Sequence, residues 1–335
     1  MKKIIFISND KLYFSKKEVC ADFNDTINII ESLSKRNYLY FISRKNLLKG
    51  IYKTKIKNKS QIKISHIKYI NTKDKKIFMV SITPFSFLIF TIINFFNKNI
   101  RGFVILRSDG FKEYNVKYGF FGKKLYEFFF KNILKKLKPV VVTNNLSHIN
   151  YYKYVGISPS EISDIWNKNL KRANLSKPKL LYMGRIKKEK GIFSLIKLIK
   201  DLDIDYDLCI VGDQKKLNLE NDKIKVFNET SNRKKIINFY DQNNIFILPS
   251  FTEGSPKVIL ESLSRLRPVI VFREIKHVKS KFKGVFITNR NTKDLKKTII
   301  YILKNYKKIQ LEMKNNKIPT KEQFQKNLIK IVNEQ

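Results

Sequence analysis

Cysteine, histidine, glycine and proline are all scarce in this chain of 335 residues. The only two cysteines, Cys20 and Cys209, are far apart, and Cys209 lies in an apolar strand pattern. These features exclude a disulfide framework and indicate a reducing compartment. The three histidines, His66, His148 and His277, have no metal-ligand spacing. Acidic residues are also few, 28 against 69 lysines and arginines.

The chain nevertheless has enough apolar residues for a folded core. Hydrophobic residues make up 43% and aromatic residues 13% of the sequence, which excludes a disordered chain. The length suggests two domains of ordinary size. Met1-Lys2-Lys3 with the next four apolar residues resembles the start of a signal peptide. Because the apolar run stops at Ser8, it is too short for that purpose and predicts a first β-strand.

The formal net charge of +41 predicts attraction to anionic membranes or to nucleic acid. The cations are mostly lysines, with only 11 arginines, and they are scattered along the chain. No zinc spacing, helix-turn-helix signature or aromatic RNA-binding motif accompanies them. A basic nucleic-acid-binding protein is therefore an alternative that rests on charge alone, and no specific nucleic-acid partner is expected.

The most informative segment is Glu253-Gly254-Ser255-Pro256-Lys257-Val258-Ile259-Leu260-Glu261. Apolar runs at 245–248 and 268–272 flank it, which is the order of strand, turn, helix and strand that builds a parallel sheet. Gly254 allows the backbone to approach a ligand closely. Ser255 and Pro256 suit the start of a helix, where free N–H groups favour an anion. Glu253 is thus predicted in a loop and Glu261 about two turns into the helix.

A second turn lies upstream, Gly184-Arg185-Ile186-Lys187-Lys188-Glu189-Lys190-Gly191, between a predicted strand at 180–183 and a predicted helix at 192–200. Arg185 offers a planar fork for phosphate oxygens and Lys190 a mobile point charge. Taken singly, the two motifs have an ordinary interpretation as surface cations and solvated glutamates. Their occurrence together, at this distance, favours one shared site.

Both segments resemble motifs of the retaining glycosyltransferases of family 4, which have the GT-B fold. One is the E-x7-E element in its fuller form E-G-x-P-x-V-x-x-E, and the other is the G-R-x-x-x-x-K-G loop. The resemblance implies that Glu253 contacts the donor sugar, Glu261 the nucleotide ribose, and Arg185 and Lys190 the donor diphosphate. It implies catalytic roles for Glu253, Arg185 and Lys190. The implied donor-binding residues are Gly184, Arg185, Lys190, Glu253, Gly254, Ser255, Pro256, Lys257, Val258 and Glu261.

The resemblance also implies a reaction. A hexosyl-type sugar would pass from a nucleotide diphosphate sugar, with retention, to a lipopolysaccharide, O-antigen, capsule or other lipid-linked glycan. The protein would act peripherally at the cytoplasmic face of an anionic membrane. No cofactor beyond the donor substrate and no metal are expected, since the D-x-D strings within 201–205 lie far from either candidate turn. A sugar-nucleotide hydrolase or phosphorylase on the same fold is the other alternative.

Three positions depart from the family's pattern. Ser8-Asn9-Asp10 follows the first predicted strand where many members carry a glycine-rich loop. Leu266-Arg267-Pro268 replaces a G-x-P, and the segment 273–277 replaces a Gly-Gly turn. The first half of the chain therefore resembles the family only in its alternation of strands and helices.

That alternation predicts an α/β chain with two Rossmann-like, doubly wound domains facing across a cleft. Residues 1–170 are predicted to bind the acceptor and residues 171–318 the nucleotide sugar, with a lysine-rich linker at 168–179. Residues 319–335 are predicted to form a C-terminal helix that crosses back to the first domain.

Two features of the first domain point to an acceptor and a membrane. Asp109 and Glu113 follow the predicted strand 102–107, and loops at the carboxyl ends of strands line ligand crevices. Either carboxylate is a candidate contact for an acceptor hydroxyl, with a helix-capping Asp109 as the alternative. The predicted helix 120–137 carries an aromatic face and a lysine face, which suits either a membrane surface or a core helix with a solvated lysine strip.

Overall fold

The computed structural model describes residues 2–47, 50, 52–97, 99–142, 146, 148–217, 222–279 and 282–334. The chain forms two compact units, one of Met1–Pro159 with Glu322–Gln335 and one of Ser160–Lys321. Each unit contains a sheet of mainly parallel strands with helices packed on it. The predicted α/β alternation is confirmed in both halves of the chain.

The first unit contains nine strands among its described residues. They are β1 (Lys2–Phe14), β2 (Glu18–Ala21), β3 (Asn37–Lys45), β4 (Tyr52–Lys55), β5 (Lys59–Gln61), β6 (Lys75–Val80), β7 (Gly102–Leu106), β8 (Lys138–Val141) and β9 (Val155–Gly156). The helices between them are α1 (Asn24–Ser34), α2 (Pro84–Phe96) and α3 (Gly110–Leu134).

The parallel strands of this sheet lie in the order β5-β3-β1-β6-β7-β8-β9. The chain first moves outward from β1 to β3 and β5, and then returns to place β6 on the other side of β1. The direction of winding therefore reverses between β1 and β6. In open α/β sheets such a reversal opens a crevice at the carboxyl ends of the two strands.

The first strand is longer than the sequence predicted. After the register shift between Ser8 and Lys11 it continues to Phe14 and pairs antiparallel with β2. Leu12 is fully buried, and Phe14 packs on Phe41. The polar residues 8–10 thus form an irregularity within a strand, because the apolar side chains that follow them are buried in the same sheet.

Both faces of the first sheet are covered. Ile5 and Ile7 pack with α2 and α3 on one face, and Ile4 and Phe6 pack on the other with α1. Successive side chains of a strand point to opposite faces, so a strand buried on both sides reads as one continuous apolar run. This is the physical basis of the run Ile4–Ile7.

Among its described residues the second unit contains six parallel strands, in the order β12-β11-β10-β13-β14-β15. They are β10 (Lys179–Met183), β11 (Asp207–Gly212), β12 (Ile224–Asn228), β13 (Ile245–Leu248), β14 (Val269–Phe272) and β15 (Val285–Thr288). The helices are α4 (Ile192–Lys200), α5 (Arg233–Gln242), α6 (Lys257–Ser264), α7 (Thr292–Lys304) and α8 (Tyr306–Lys314). The winding reverses here between β10 and β13.

The division between the units lies at Pro159 and Ser160, earlier than the boundary at 170 that the sequence suggested. Ile162 and Trp166 are buried in the core of the second unit. The Arg265 guanidinium also donates hydrogen bonds to the carbonyl oxygens of Trp166, Lys168 and Asn169. Residues 160–170 therefore belong to the second unit by both packing and hydrogen bonding.

The last helix, α9 (Lys321–Glu334), packs on the first unit. Phe324, Leu328, Ile331 and Val332 join the core formed by α1 and by Ile4 and Phe6 of β1. The structure thus places the C-terminal segment on the first unit's sheet, where the sequence had placed it. In the described part of the chain, no helix combines the length and the apolar character that a bilayer span requires.

Candidate active site

The two predicted motifs follow β10 and β13, the neighbouring strands between which the second sheet reverses its winding. The first motif occupies the turn between β10 and α4, and the second occupies the turn between β13 and α6. Because parallel strands end at the same edge of a sheet, both turns lie at one crevice. Their side chains are close enough to bond directly.

Lys190 and Glu253 form that bond. Lys190 Nζ lies 2.7 Å from Glu253 Oε1, and the two side chains are only 20% and 11% exposed. The Ser250 hydroxyl donates to the same carboxylate oxygen at 2.6 Å. The other oxygen, Oε2, has no hydrogen bond with any described residue, so Glu253 is held from one side and can accept a ligand on the other.

Gly191 is what allows the two turns to approach. Its φ is +69°, in the left-handed region, and a Cβ added to it would lie 1.9 Å from the carbonyl oxygen of Pro249. The backbone N–H of Phe251 also donates to the carbonyl oxygen of Glu189 at 3.0 Å. The glycine that ends the first motif is therefore required by both backbone conformation and close contact.

Three further side chains hold the second turn, and the sequence reasoning missed all of them. Besides Ser250, Arg290 donates to the Pro249 carbonyl oxygen at 2.9 Å, and His277 Nε2 lies 3.0 Å from the carbonyl oxygen of Glu253. The Arg290 guanidinium also stacks 4.1 Å from the Phe251 ring centroid. Each of the three follows β13, β14 or β15, so a search of every carboxyl strand end would have found them.

The Arg185 side chain is exposed and makes no hydrogen bond or ion pair with any described residue. Its carbonyl oxygen accepts the Tyr182 hydroxyl at 2.8 Å, which fixes the turn after β10. Burial raises the pKa of Tyr182, the nearby charge of Glu253 raises it further, and Arg185 opposes the shift. Both charged groups are thus near this tyrosine. Gly184, within the same turn, is partly buried and donates its N–H to Val211 at 3.0 Å.

The second motif continues into α6 as predicted. Gly254, Ser255 and Pro256 form the turn, with Pro256 preceding the first helical residue, Lys257. Pro256, the residue before the helix, makes no side-chain capping hydrogen bond. Val258 packs against the core of the unit, and its carbonyl oxygen accepts the Tyr240 hydroxyl at 3.3 Å. The start of α6 is therefore suited to an anion through the positive end of the helix dipole.

Glu261 lies further along α6 in a different set of contacts from Glu253. Its Oε2 accepts the hydroxyl of the buried Tyr240 at 2.9 Å. Burial raises the pKa of Glu261 to about 7, with a further increase from Glu161, while Tyr240, Lys257 and Arg233 oppose it. At neutral pH this carboxyl group is divided between its two protonation states, which is unusual for glutamate.

Lys257 is paired with Glu161, a residue that neither motif contains. Lys257 Nζ lies 2.5 Å from Glu161 Oε1, and the Glu161 side chain is nearly buried. Glu161 belongs to the segment before β10 that the sequence had assigned to the first domain. Nothing in the local pattern marks it, because its partner is 96 residues away.

The candidates in the first unit are differently placed. Asp109 caps α3, since its Oδ1 accepts the N–H groups of Phe111 and Lys112 at 3.1 and 3.3 Å. Glu113 is exposed in the first turn of the same helix. The structure thus places Asp109 in the capping arrangement that the sequence allowed as the alternative.

Among the described residues, no group of three or more His, Cys, Asp or Glu side chains could hold a metal ion.

Comparison with known families accounts for this geometry. Residues 166–319 match the family described as "Glycosyl transferases group 1". This segment is therefore similar to glycosyl transferase group 1 domains. It includes both motifs, β10 to β15 and all the contacts around Lys190 and Glu253.

Two curated relatives contain segments similar to this chain. The capsular polysaccharide biosynthesis glycosyltransferase CapM of Staphylococcus aureus is 28% identical over 229 residues, 59% of this chain and 59% of its own length. A protein of Bacillus subtilis (strain 168) named for teichuronic acid biosynthesis, TuaC, is 31% identical over 90 residues, 27% of this chain and 23% of its own length. The chain thus spans less than two thirds of either relative.

Solved structures resemble the whole chain in fold. Sucrose-phosphate synthase from Thermosynechococcus elongatus superposes with a TM-score of 0.68 at 14% identity, over 99% of this chain and 98% of that one. WaaG, a glycosyltransferase involved in lipopolysaccharide biosynthesis, gives 0.67 at 12% identity, over 98% and 99%. Anabaena HepE in complex with UDP and glucose gives 0.65 at 12% identity, over 99% of both chains. The predicted GT-B fold with two Rossmann-like domains is confirmed.

Proposed function

We propose that this protein is a glycosyltransferase that moves a hexosyl-type sugar from a nucleotide diphosphate sugar, with retention, onto a cell-surface glycan precursor. The observation that supports it most directly is the ion pair of 2.7 Å between Lys190 and Glu253. It joins the two motifs at the crevice where open α/β sheets bind ligands. The free Oε2 of Glu253 and the exposed Arg185 are then available to the donor.

The donor diphosphate gains negative charge as it leaves the sugar. Arg185, Lys190 and the positive end of the α6 dipole are the groups that stabilise this charge. Glu253 orients the sugar and stabilises positive charge that develops at its ring. Glu261 accepts hydrogen bonds from the ribose hydroxyls. These cations also take the place of a metal ion, so we propose that the reaction is metal-independent and that EDTA leaves its rate unchanged.

The acceptor is proposed to be a lipid-linked precursor of a lipopolysaccharide, O-antigen or capsule. The names of CapM, TuaC and WaaG, which refer to capsular, teichuronic acid and lipopolysaccharide biosynthesis, support this class of acceptor. The complex of HepE with UDP and glucose makes a UDP-sugar the first donor to test.

We place the protein at the cytoplasmic face of the membrane, bound peripherally through α3. The membrane-facing surface of this helix, hereafter the α3 surface, consists of exposed apolar residues, Val116, Tyr118, Phe120, Phe121, Leu125 and Phe128. Exposed lysines at 112, 117, 123, 124 and 131 accompany them on the same helix. Aromatic residues beside lysines suit the boundary of an anionic bilayer.

Donor binding and turnover test this function. UDP-, GDP- and ADP-sugars are screened by thermal shift, and the stabilising donor is used to measure turnover. We expect Arg185→Ala to lower turnover by roughly 100-fold or more, because one preorganised donor contributes about 2.7–4 kcal/mol. Lys187→Ala is the matched control, since Lys187 is an exposed cation of the same turn at a variable position of the motif.

The outcomes separate the alternatives. Near-normal turnover by Arg185→Ala would remove the diphosphate role, and inversion at the anomeric carbon would remove the proposed stereochemistry. Donor cleavage at the full rate without acceptor would indicate a hydrolase, and cleavage that depends on phosphate a phosphorylase. If the protein binds DNA or RNA with steep salt dependence and binds no nucleotide sugar, it is a nucleic-acid-binding protein instead.

A further inference from the structure

The first sheet reverses its winding between β1 and β6, as the second does between β10 and β13. In the second unit that position holds the candidate donor residues. The corresponding position of the first unit holds a polar cluster that neither motif includes, formed by Asp10, Thr26, Ser81 and Arg107. Arg107 directly follows β7, Ser81 directly follows β6, and Asp10 lies at the irregularity of β1.

Arg107 connects the members of this cluster. Its Nε donates to the Ser81 hydroxyl at 3.0 Å, its Nη1 to Thr26 Oγ1 at 3.2 Å and its Nη2 to Asp10 Oδ2 at 3.4 Å. The Thr26 hydroxyl donates to the same Asp10 oxygen. Thr26 is fully buried, and the side chains of Arg107 and Asp10 remain 25% and 11% exposed. Thr26 therefore holds the cluster from the protein interior, while Asp10 and Arg107 remain accessible to solvent.

Ser81 is held in a backbone conformation that serine rarely adopts. Its φ is +63°, in the left-handed region. Its N–H donates to Ile105 and its carbonyl oxygen accepts the Ser86 hydroxyl, both at 3.0 Å. Strain of this kind persists where the surrounding structure fixes it, and it is concentrated at functional sites.

The unused hydrogen-bonding capacity of the cluster identifies the ligand chemistry. Each terminal nitrogen of Arg107 has two N–H groups, and only one on each is bonded to a described residue. Among the described residues, Asp10 Oδ1 has no hydrogen-bond partner. Two donors therefore lie beside one carboxylate acceptor. A hydroxyl group can donate to the carboxylate and accept from the guanidinium at once, whereas a phosphate would be repelled by Asp10.

We propose that Asp10 and Arg107 bind a pair of adjacent hydroxyl groups on a neutral pyranose ring. That this ring belongs to the acceptor, rather than to another sugar, rests on the function proposed above. The cluster replaces Asp109 and Glu113 as the acceptor-side contacts, because Asp109 caps α3 and Glu113 is exposed on the first turn of that helix. Thr26 and Ser81 act as positioning residues that hold the guanidinium.

Saturation-transfer difference NMR tests the proposal on the full chain. The probes are the methyl α-pyranosides of glucose, galactose and mannose, with the fully O-methylated glucoside as a ligand that cannot donate a hydrogen bond. We expect signals for at least one free glycoside and none for the O-methylated one. Asp10→Asn and Arg107→Gln each remove a charge-assisted hydrogen bond, so each is expected to weaken binding by roughly tenfold or more.

Two further variants locate the bound sugar. Glu127→Gln removes a carboxylate of α3 that is 27% exposed and paired with Lys131, and it is expected to leave the signals unchanged. Signals lost in Glu253→Gln but kept in Asp10→Asn would place the sugar in the second unit and overturn the proposal. The absence of any signal for the wild type would overturn it as well, as would undiminished signals in Asp10→Asn.

Folding and donor binding are read separately. Circular dichroism confirms that each variant is folded, and Arg107→Lys, which keeps the charge but not the fork, replaces Arg107→Gln if the latter unfolds. Thermal shift with the best nucleotide sugar is measured in parallel. Glycoside binding without donor binding would refute the proposed function but support the site at Asp10 and Arg107. Donor binding without glycoside binding would refute that site but support the proposed function.

Discussion

Glu261 shows how the environment of one residue changes its chemistry. One of its oxygens accepts a hydrogen bond from the hydroxyl of the buried Tyr240. The charges of Glu161, Lys257 and Arg233 also act on it. Burial raises the pKa of Glu261 to about 7, against about 4.3 for a free glutamate. The folded protein therefore retains a proton at pH 5–7 that the unfolded chain has released.

This retention makes stability depend on pH in a defined direction. When the folded state binds more protons than the unfolded state, stability falls as pH rises. We expect the free energy of unfolding of the wild type to fall by roughly 2–3 kcal/mol relative to that of Glu261→Gln as pH rises from about 4.5 to above 7. Urea unfolding of both proteins at several pH values measures the difference. A difference that does not change with pH would show that Glu261 titrates normally.

The same titration governs the proposed ribose contact. An ionised carboxylate is the better acceptor for two hydroxyl groups, so donor affinity should increase with pH through about 7. We expect roughly tenfold weaker nucleotide-sugar binding at pH 6 than at pH 8, measured by calorimetry. Glu261→Gln should abolish this dependence. If it leaves the pH profile unchanged, another group is responsible.

Gly191 and Gly119 are two glycines with positive φ, +69° and +64°, and only at Gly191 would a Cβ meet a neighbouring backbone atom. Gly119 has a ψ of −157°, a conformation that is essentially restricted to glycine. We expect Gly119→Ala to show this backbone strain alone, about 1–3 kcal/mol. Gly191→Ala must also move the turn at Pro249, so it should separate Lys190 from Glu253. Thermal shift with donor checks this, and an unchanged shift in Gly191→Ala would contradict it.

At the scale of secondary-structure elements, α5, α6 and the segment before β10 are joined by a buried charged network. Arg265 forms a bidentate pair with Asp241 at 2.9 and 2.8 Å, and both side chains are almost fully buried. Arg267 donates to the carbonyl oxygens of Tyr240, Asn243 and Lys171. Burial lowers the pKa of Arg267. Two arginines thus share one carboxylate and satisfy their remaining N–H groups with carbonyl oxygens.

The same segment explains one departure from the family pattern. Leu266, at the glycine position of the usual G-x-P, has a φ of +53°. A non-glycine residue in this conformation is strained, and the arginines on either side of it fix the backbone through their hydrogen bonds. The conformation that glycine would adopt easily is therefore maintained here by the network around it.

Removal of the shared carboxylate should destabilise the second unit. Asp241→Asn leaves two buried guanidinium groups without a counter-charge, and breaking a buried pair costs about 3–5 kcal/mol. Trp166, the only tryptophan, has its carbonyl oxygen bonded to Arg265, so its fluorescence in urea reports on this network. Asp203→Asn, which breaks an exposed pair with Lys296, is the control and should leave the midpoint unchanged. Equal midpoints for the two variants would contradict the role of Asp241.

For the whole molecule, the net charge of +41 and the α3 surface are the two features that support the proposed membrane contact. Phe121 and Phe120 are 85% and 64% exposed just after the kink at Gly119, while Tyr126, Phe130, Ile133 and Leu137 are buried in the core. The predicted aromatic face is thus a core face, and a second set of aromatic residues remains on the outside. The α3 helix therefore packs in the core through one set, and the outer set forms the proposed membrane contact.

Liposome flotation tests this arrangement. We expect binding to vesicles with 30% phosphatidylglycerol and weak binding to neutral vesicles, since each cation near an anionic surface contributes about 1 kcal/mol. Phe120→Ser with Phe121→Ser should weaken binding at least tenfold, because each buried Phe contributes about 1.5–3 kcal/mol. The matched control is Phe95→Ser with Phe96→Ser, an exposed pair at the end of α2. Equal losses in both double variants would indicate non-specific adsorption.

Much of the fold could be predicted because its signals are local. Buried strands such as β10 and β13 are short apolar runs, and each is followed by a turn with glycine and then by a helical pattern. The extent of β1 and α3 could not be predicted in the same way. Ser8–Asp10 and Gly119 look like ends of elements, but the strand and the helix continue across them because later residues are buried in the same layer.

The sequence by itself determined which residues could form a donor site, since both motifs consist of neighbouring residues with their own local conformations. Only the tertiary structure brought Lys190 to Glu253 across 63 positions, Lys257 to Glu161 across 96 and Arg107 to Asp10 across 97. The order of strands in a sheet decides which strand ends are neighbours, and that order depends on the packing of helices on both faces. No local pattern contains this information, because it arises from burial of the whole chain.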